Sequence, residues 1–317
     1  MKLDRYAKLA WAALLFTLVV IVWGAYVRAS GSGAGCGKNW PLCKGGVWSV
    51  ETLIELTHRA TSGLALVLTL AMLVFAFRNY PRGHRVRRGA TLSMIFMITE
   101  ALVGAGLVLF ELVAHNASVA RALFMSVHLV NTFILLGVMT LTAWWASGGP
   151  PLRLRHQGAL LWLFLASILG TLILGVSGAI AALGDTLFPA ASFAEGMSQD
   201  FSPTAHLLLR LRVLHPTLAL TVGLVLIIAG FAARQARPQL STFRFAIALQ
   251  ALIFIQIVAG LVNVLLLTPI WLQLVHLVLA DLTWIALVLT AGSGLTLAQE
   301  SAGIEVSMSR SASTADA

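Results

Sequence analysis

Long apolar runs alternate with short polar connections along nearly the whole chain. Eight runs stand out, at roughly 8–28, 55–77, 90–111, 122–146, 159–182, 207–232, 245–267 and 270–294. Each holds about 20 residues or more, enough to cross about 30 Å of hydrocarbon as a helix. The pattern predicts an all-α integral membrane fold. The first run, inside MKLDRYAKLAWAALLFTLVVIVWGAYV, begins basic. A signal peptide would have a shorter apolar core and a small-residue cleavage site, so this run reads as a retained first span. The last stretch, AQESAGIEVSMSRSASTADA (298–317), is polar and small-residue rich and reads as a disordered tail.

Composition strengthens the picture. Hydrophobic residues make up 59% of the 317 and charged residues only 10%, which places the chain among polytopic membrane proteins. The net charge of +9 would suit nucleic acid if it formed a patch. Instead the basic residues fall in short loops between apolar runs, where they encode topology, and no nucleic-acid surface is expected. Arg78, Arg82, Arg85, Arg87, Arg88, Arg153, Arg155, Arg234, Arg237, Arg244 and Arg310 share one side with Lys2, Arg5 and Lys8. Arg28, Lys38, Lys44, Arg59, Arg121, Arg210 and Arg212 take the other. Both termini are therefore expected on the cytoplasmic side of the cell membrane.

The chain also repeats itself. ITEALVGAGLVLF in the third run resembles FIQIVAGLVNVLL in the seventh, which pairs Glu100 with Gln256 and Gly104 with Gly260. VHLVNTFILL in the fourth matches VHLVLADLTW in the eighth. Four spans per half is an even number, so both halves should keep the same orientation. Two tandem four-helix bundles are expected, at 1–150 and 151–297. The match is weakest between the first and fifth runs.

Candidate chemistry lies in four histidines: His58 in ELTHRATSG, His128 in FMSVHLVNTF, His215 in LRVLHPTLAL and His276 in LQLVHLVLAD. All lie on even-numbered spans, roughly one to two turns inside the outer boundary. An ionisable group inside a span is costly and suggests a working site. A lone histidine in an apolar helix is more often a packing residue. Two per bundle, on helices of the same direction and at matched depth, can face each other as ligands of one haem iron. Zinc prefers four closed ligands and fits less well. His84, His156, His115 and His206 fall in loops or at span edges.

Glu55, one turn before His58, is either a helix-start residue paired with Arg59 or a proton acceptor beside the site. Cys36 and Cys43, the only cysteines, share the outer loop SGSGAGCGKNWPLCKGG. An exported loop permits a disulfide there, structural or redox-active. Arg28, Arg59, Arg210 and Arg212 are either snorkelling residues or partners for haem propionates, and the second is expected of at least one.

GAYVRASGSGAGCGKNWPLC, then ELTHR, TEALVG and the VH pairs of spans four and eight, resembles the haem A synthase family over about residues 8–297. The resemblance implies oxidation of the C8 methyl of haem O to a formyl group, with water as the oxygen source, giving haem A for terminal oxidases. It also implies substrate haem O on His58 and His128, a permanent haem b on His215 and His276, and catalysis through Glu55. Arg59 and Arg212 are the propionate candidates. Implied partners are haem O synthase, an unidentified electron acceptor and membrane lipid, and a homo-oligomer is compatible. Many members carry a second cysteine pair between spans five and six, but GDTLFPAASFAEGMSQDFSPTAH has none. Competing readings are a di-haem b-type electron carrier, which would need haems toward opposite faces, and a haem transporter or chaperone.

Overall fold

The computed structural model describes residues 3–43 and 48–296. The expected tail, and Lys2, Lys44 and Arg310 of the charge pattern, lie outside them. Among the described residues the regular structure is entirely helical, and eight segments are long and apolar enough to cross a membrane. The protein is a multi-pass membrane protein.

The helices are α1 (Arg5–Ala29), α2 (Val50–Asn79), α3 (Arg85–Leu109), α4 (Val119–Ala146), α5 (Ala159–Leu187), α6 (Phe193–Phe201), α7 (Leu207–Arg212), α8 (Leu214–Ala236), α9 (Leu240–Leu265) and α10 (Ile270–Gly294). Several begin before the apolar run does, because a polar cap starts them early. Asp4 accepts from the Ala7 amide, Ser49 from Thr52 and Ser118 from Arg121.

Two details differ from the sequence pattern. The sixth run is divided at Val213 into α7 and α8. Pro216 has no N–H to offer the Arg212 carbonyl, so the ladder is interrupted one turn upstream. The loop after α5 holds the extra helix α6. Ser192 caps it by accepting from the Glu195 amide, while Glu195 reaches back to the Ala191 amide. That Ser-x-x-Glu arrangement resembles a capping box and was legible in the sequence.

Helices α1 to α4 form a ring of neighbours, each packed on the next and α1 on α4. Helices α5, α8, α9 and α10 form a second ring in the same way. The rings meet where α4 touches α5 and α10, and where α1 touches α10. Small residues allow close approach, as expected where lipid provides no hydrophobic drive between helices. Ala7, Ala10 and Ala13 are buried on α1, and Ala229 and Ala233 on α8. Outward surfaces stay apolar at positions such as Leu15, Val19, Trp162 and Phe254. Several buried hydroxyls return to their own helices: Thr17, Thr69, Thr171 and Thr290 each donate to the carbonyl four residues back.

Helices α3 and α9 end alike. Phe110, Glu111 and Leu112 donate to the carbonyls of Gly106, Val108 and Leu107. Leu266, Leu267 and Thr268 donate to those of Val262, Val264 and Asn263. Glu111 and Leu267 take left-handed backbone, with φ of 56° and 58°.

The seam between the rings is centred on Trp284 of α10. Its indole stacks on Phe133 of α4 at 5.2 Å between centroids and donates to the Phe133 carbonyl at 2.7 Å. From Thr283 to Gly294, α10 is buried at every residue. Replacing Trp284 with Ala should cost about 3–5 kcal/mol, because the seam cannot collapse around so large a loss. The check is a lowered unfolding temperature of the purified protein in detergent, with helical content kept at low temperature.

Candidate functional site

The four sequence-selected histidines occupy equivalent settings. Each projects from an even-numbered span onto a glycine of the span before it. A Cβ added at Gly24 of α1 would lie 2.8 Å from Cε1 of His58, and one at Gly104 of α3 would lie 3.7 Å from Cε1 of His128. Gly178 of α5 stands in the same relation to His215 at 2.9 Å, and Gly260 of α9 to His276 at 3.0 Å. Glycine is required at the closest of these contacts because an alanine would push the ring away. All four imidazoles are half-buried.

Several ring nitrogens in these positions lack hydrogen-bond partners. Nδ1 of His58, His128 and His276 is buried without a hydrogen bond. His215 differs, since its Nδ1 meets Ser177 Oγ at 2.9 Å, which leaves Nε2 for another partner. His276 Nε2 lies 3.2 Å from Gln256 Nε2, while Gln256 Oε1 has no partner. The His215 and His276 ring centroids are 6.4 Å apart. Two imidazole nitrogens about 2 Å from one metal between them require a spacing of this order. Among the described residues no three or more His, Cys, Asp or Glu gather as a chelating cluster. Paired imidazoles without further donors suit a metal that brings its other ligands with it, as a haem does.

Glu55 is buried and fully engaged. One carboxylate oxygen pairs with Arg59 and the other accepts the Cys36 amide at 2.8 Å. Arg59 also donates to the carbonyls of Asn39 and Pro41. The cysteine loop is thereby docked on the first turns of α2. Thr52 Oγ1 adds a bond to the Gly35 carbonyl at 2.7 Å. A Cβ at Gly35 would lie 2.5 Å from the backbone of Glu51, so only glycine permits this approach. Cys36 and Cys43 lie at disulfide distance, with Cα atoms 4.8 Å apart.

The remaining arginines are each held by protein groups. Arg212 pairs with Asp185 at 2.7 Å and Asp200 at 2.5 Å, tying α5, α6 and α7 together. Arg210 donates to the Pro203 carbonyl. Arg28 crosses between the rings to the Ala182 carbonyl, Thr186 and Gln273. Of the other histidines, His84 and His206 cap α3 and α7. Desolvation by burial, with Arg85 nearby, lowers the His84 pKa.

One polar group beside the histidines was used in the sequence only to align the halves. Glu100 of α3 lies 3.3 Å from His128 Nδ1, at ion-pair distance though outside hydrogen-bond alignment. It also accepts from Asn131 and Thr132. An ionisable residue in the middle of an apolar run was the available signal.

The sequence matches the COX15-CtaA family, described as cytochrome oxidase assembly protein, over residues 7–51 and 46–288. It is 51% identical over 296 residues to a Thermus thermophilus protein named protoheme IX farnesyltransferase. That match covers 92% of this chain and 49% of the relative, so the chain spans about half the length of that relative. It is 39% identical over 115 residues to a heme A synthase of Bacillus mycoides, covering 34% of this chain and 36% of the relative. A heme A synthase of Bacillus cereus is 38% identical over the same length, with the same coverage of each chain.

Because Glu55 alone joins the Cys36 amide to Arg59, Glu55→Ala should free that amide while the Thr52 and Arg59 contacts keep the loop in place. Amide exchange at Cys36 should accelerate about tenfold or more, the effect of losing a charge-assisted hydrogen bond. Mass-resolved exchange on peptides covering 30–43 is the measurement, with α3 peptides as the unchanged control.

Proposed function

Because the chain belongs to the COX15-CtaA family of cytochrome oxidase assembly proteins, we propose that it is a haem A synthase. It would oxidise the C8 methyl of haem O to a formyl group and so supply haem A to a terminal oxidase. The observation that carries this reading is the fourfold pattern of a half-buried histidine over a glycine, with Nδ1 of three of the four rings left without a hydrogen bond. The partial likeness to proteins named heme A synthase supports it.

In this proposal the two rings are tandem copies in the same orientation, bounded at 1–150 and 151–297, with the histidines toward the outer face and both termini cytoplasmic. His215 and His276 hold haem b, and His58 and His128 hold the substrate, haem O. Bound haem b supplies a one-electron redox centre for electrons leaving the substrate. Glu55, one turn from His58, takes up protons at its carboxylate oxygens, positioned by Arg59 and the Cys36 amide. Arg59 has further guanidinium donors for a propionate. Arg212 meets one only by exchanging Asp185 or Asp200, since its Nε and both Nη atoms already bind them. The outer loop bridged by Cys36 and Cys43 lies over the first site.

The relatives named protoheme IX farnesyltransferase extend well beyond the matched half. We assign farnesyl transfer to the part this chain does not cover. A haem O-forming enzyme then acts immediately upstream, and an electron acceptor downstream.

Pigment extraction from the purified protein, with mass identification, tests the function. Haem b together with haem O, haem A or a hydroxylated intermediate is expected. Haem b alone at both sites would instead identify an electron carrier, and no haem at either site would refute the reading. His215→Ala or His276→Ala should abolish the six-coordinate haem b spectrum.

Glu55→Gln should keep haem b and lower the haem A to haem O ratio in membranes at matched protein level. Gln can accept no proton there, and it also loses one of the two contacts of the carboxylate. Cys36 exchange measured alongside separates the two effects. A wild-type ratio would remove Glu55 from the chemistry.

A further inference from the structure

The rings match in their histidines and glycines and differ in the polar groups beside them, most fully around Glu100. In the first ring the Glu100 carboxylate is gripped by the two α4 residues one turn beyond His128. Asn131 Nδ2 donates to it at 2.6 Å, and Thr132 Oγ1 donates to the other oxygen. The cradle is itself supported, because Thr99 donates to Asn131 Oδ1 at 2.6 Å and Asn131 also donates to the Phe96 carbonyl at 2.9 Å. The carboxylate is thus fixed 3.3 Å from His128 Nδ1.

In the second ring every part of this device is changed. Gln256 replaces Glu100, and the positions three and four residues after His276 are Leu279 and Ala280. Neither side chain can donate to a carboxylate. Gln256 is left with Oε1 unpaired and donates to the His276 carbonyl at 3.1 Å. Loss of an acid together with both of its donors is a coordinated difference, beyond a single substitution in an otherwise equal frame.

We propose that Glu100 is a positioning residue for His128, and that its cradle makes the first site's imidazole the more electron-donating of the two. This rests on the haem-binding reading above. A carboxylate at Nδ1 orients the ring and raises its basicity toward a metal on Nε2. The added negative charge favours the oxidised form of whatever iron His128 holds, in a low-dielectric setting where such charges count heavily. The second site has a neutral amide instead. The two sites then differ in the direction that passes electrons from the substrate site to the permanent one. The specialisation of the halves would lie in this cradle, since their histidines and glycines are alike.

The test uses the full chain in detergent, loaded with iron protoporphyrin IX at both sites and titrated potentiometrically under optical detection. Glu100→Gln should shift the first-site ferric to ferrous ratio at fixed potential about tenfold toward ferrous. For a one-electron couple this corresponds to about 59 mV. The second-site transition should stay in place. Asn131→Leu combined with Thr132→Ala, which copies the second ring, should move the first site the same way and guards against a folding defect in Glu100→Gln. Gln256→Glu with Leu279→Asn and Ala280→Thr should lower the second site's potential.

Unchanged potentials in folded, six-coordinate Glu100→Gln and Asn131→Leu/Thr132→Ala proteins would overturn the proposal and leave the haem reading intact. Failure of the wild-type chain to take up haem on His58 and His128 would overturn both.

Discussion

A polar group inside a lipid-embedded bundle has no water to fall back on, and that constraint organises the rest of this molecule. Thr17, Thr69, Thr171 and Thr290 satisfy their hydroxyls on their own helices. The arginines near the cysteine loop find carbonyls and carboxylates. The Nδ1 atoms of His58, His128 and His276 make no such hydrogen bond. Other buried atoms, such as Thr140 Oγ1 and both Asp281 carboxylate oxygens, are also unpaired, and the histidines differ from them in sharing one local geometry over a glycine. That shared geometry, more than the unpaired nitrogens, sets the four apart.

Much of this was legible in the sequence because membrane spans are written in long, redundant runs. The eight spans and the four histidines follow from hydropathy and from the rarity of ionisable residues within it. The ends were less legible. Capping by Asp4, Ser49 and Ser118 carries helices past the apolar runs, and the loss of one donor at Pro216 divides a run that composition leaves whole. Partners were least legible. Arg28 looks like any interfacial arginine until tertiary packing brings Ala182, Thr186 and Gln273 against it. Glu55 shows the same limit: its spacing to His58 is local and readable, while its bond to the Cys36 amide depends on how a glycine-rich loop folds back.

The two rings share a frame and differ in what they place on it. Glycine-backed histidines recur four times. The polar neighbours of those histidines do not: Ser177 serves His215, Glu100 stands beside His128, and Gln256 stands beside His276. Similar scaffolds with different second neighbours can give one ligand set two chemical characters. The seam through Phe133 and Trp284 keeps the halves in fixed register, since α4 and α10 each carry a site histidine and pack directly on one another.

The matching ends of α3 and α9 show how little such a corner depends on its side chain. Glu111 and Leu267 share a left-handed backbone that neither side chain favours, and the same three hydrogen bonds close both helices. One residue is acidic and bonded to Lys38, the other aliphatic. What the two corners share is a dihedral angle, and the side chain is free to differ. The course of the backbone at such a turn is held by the hydrogen bonds that close the helix, whatever letter stands there.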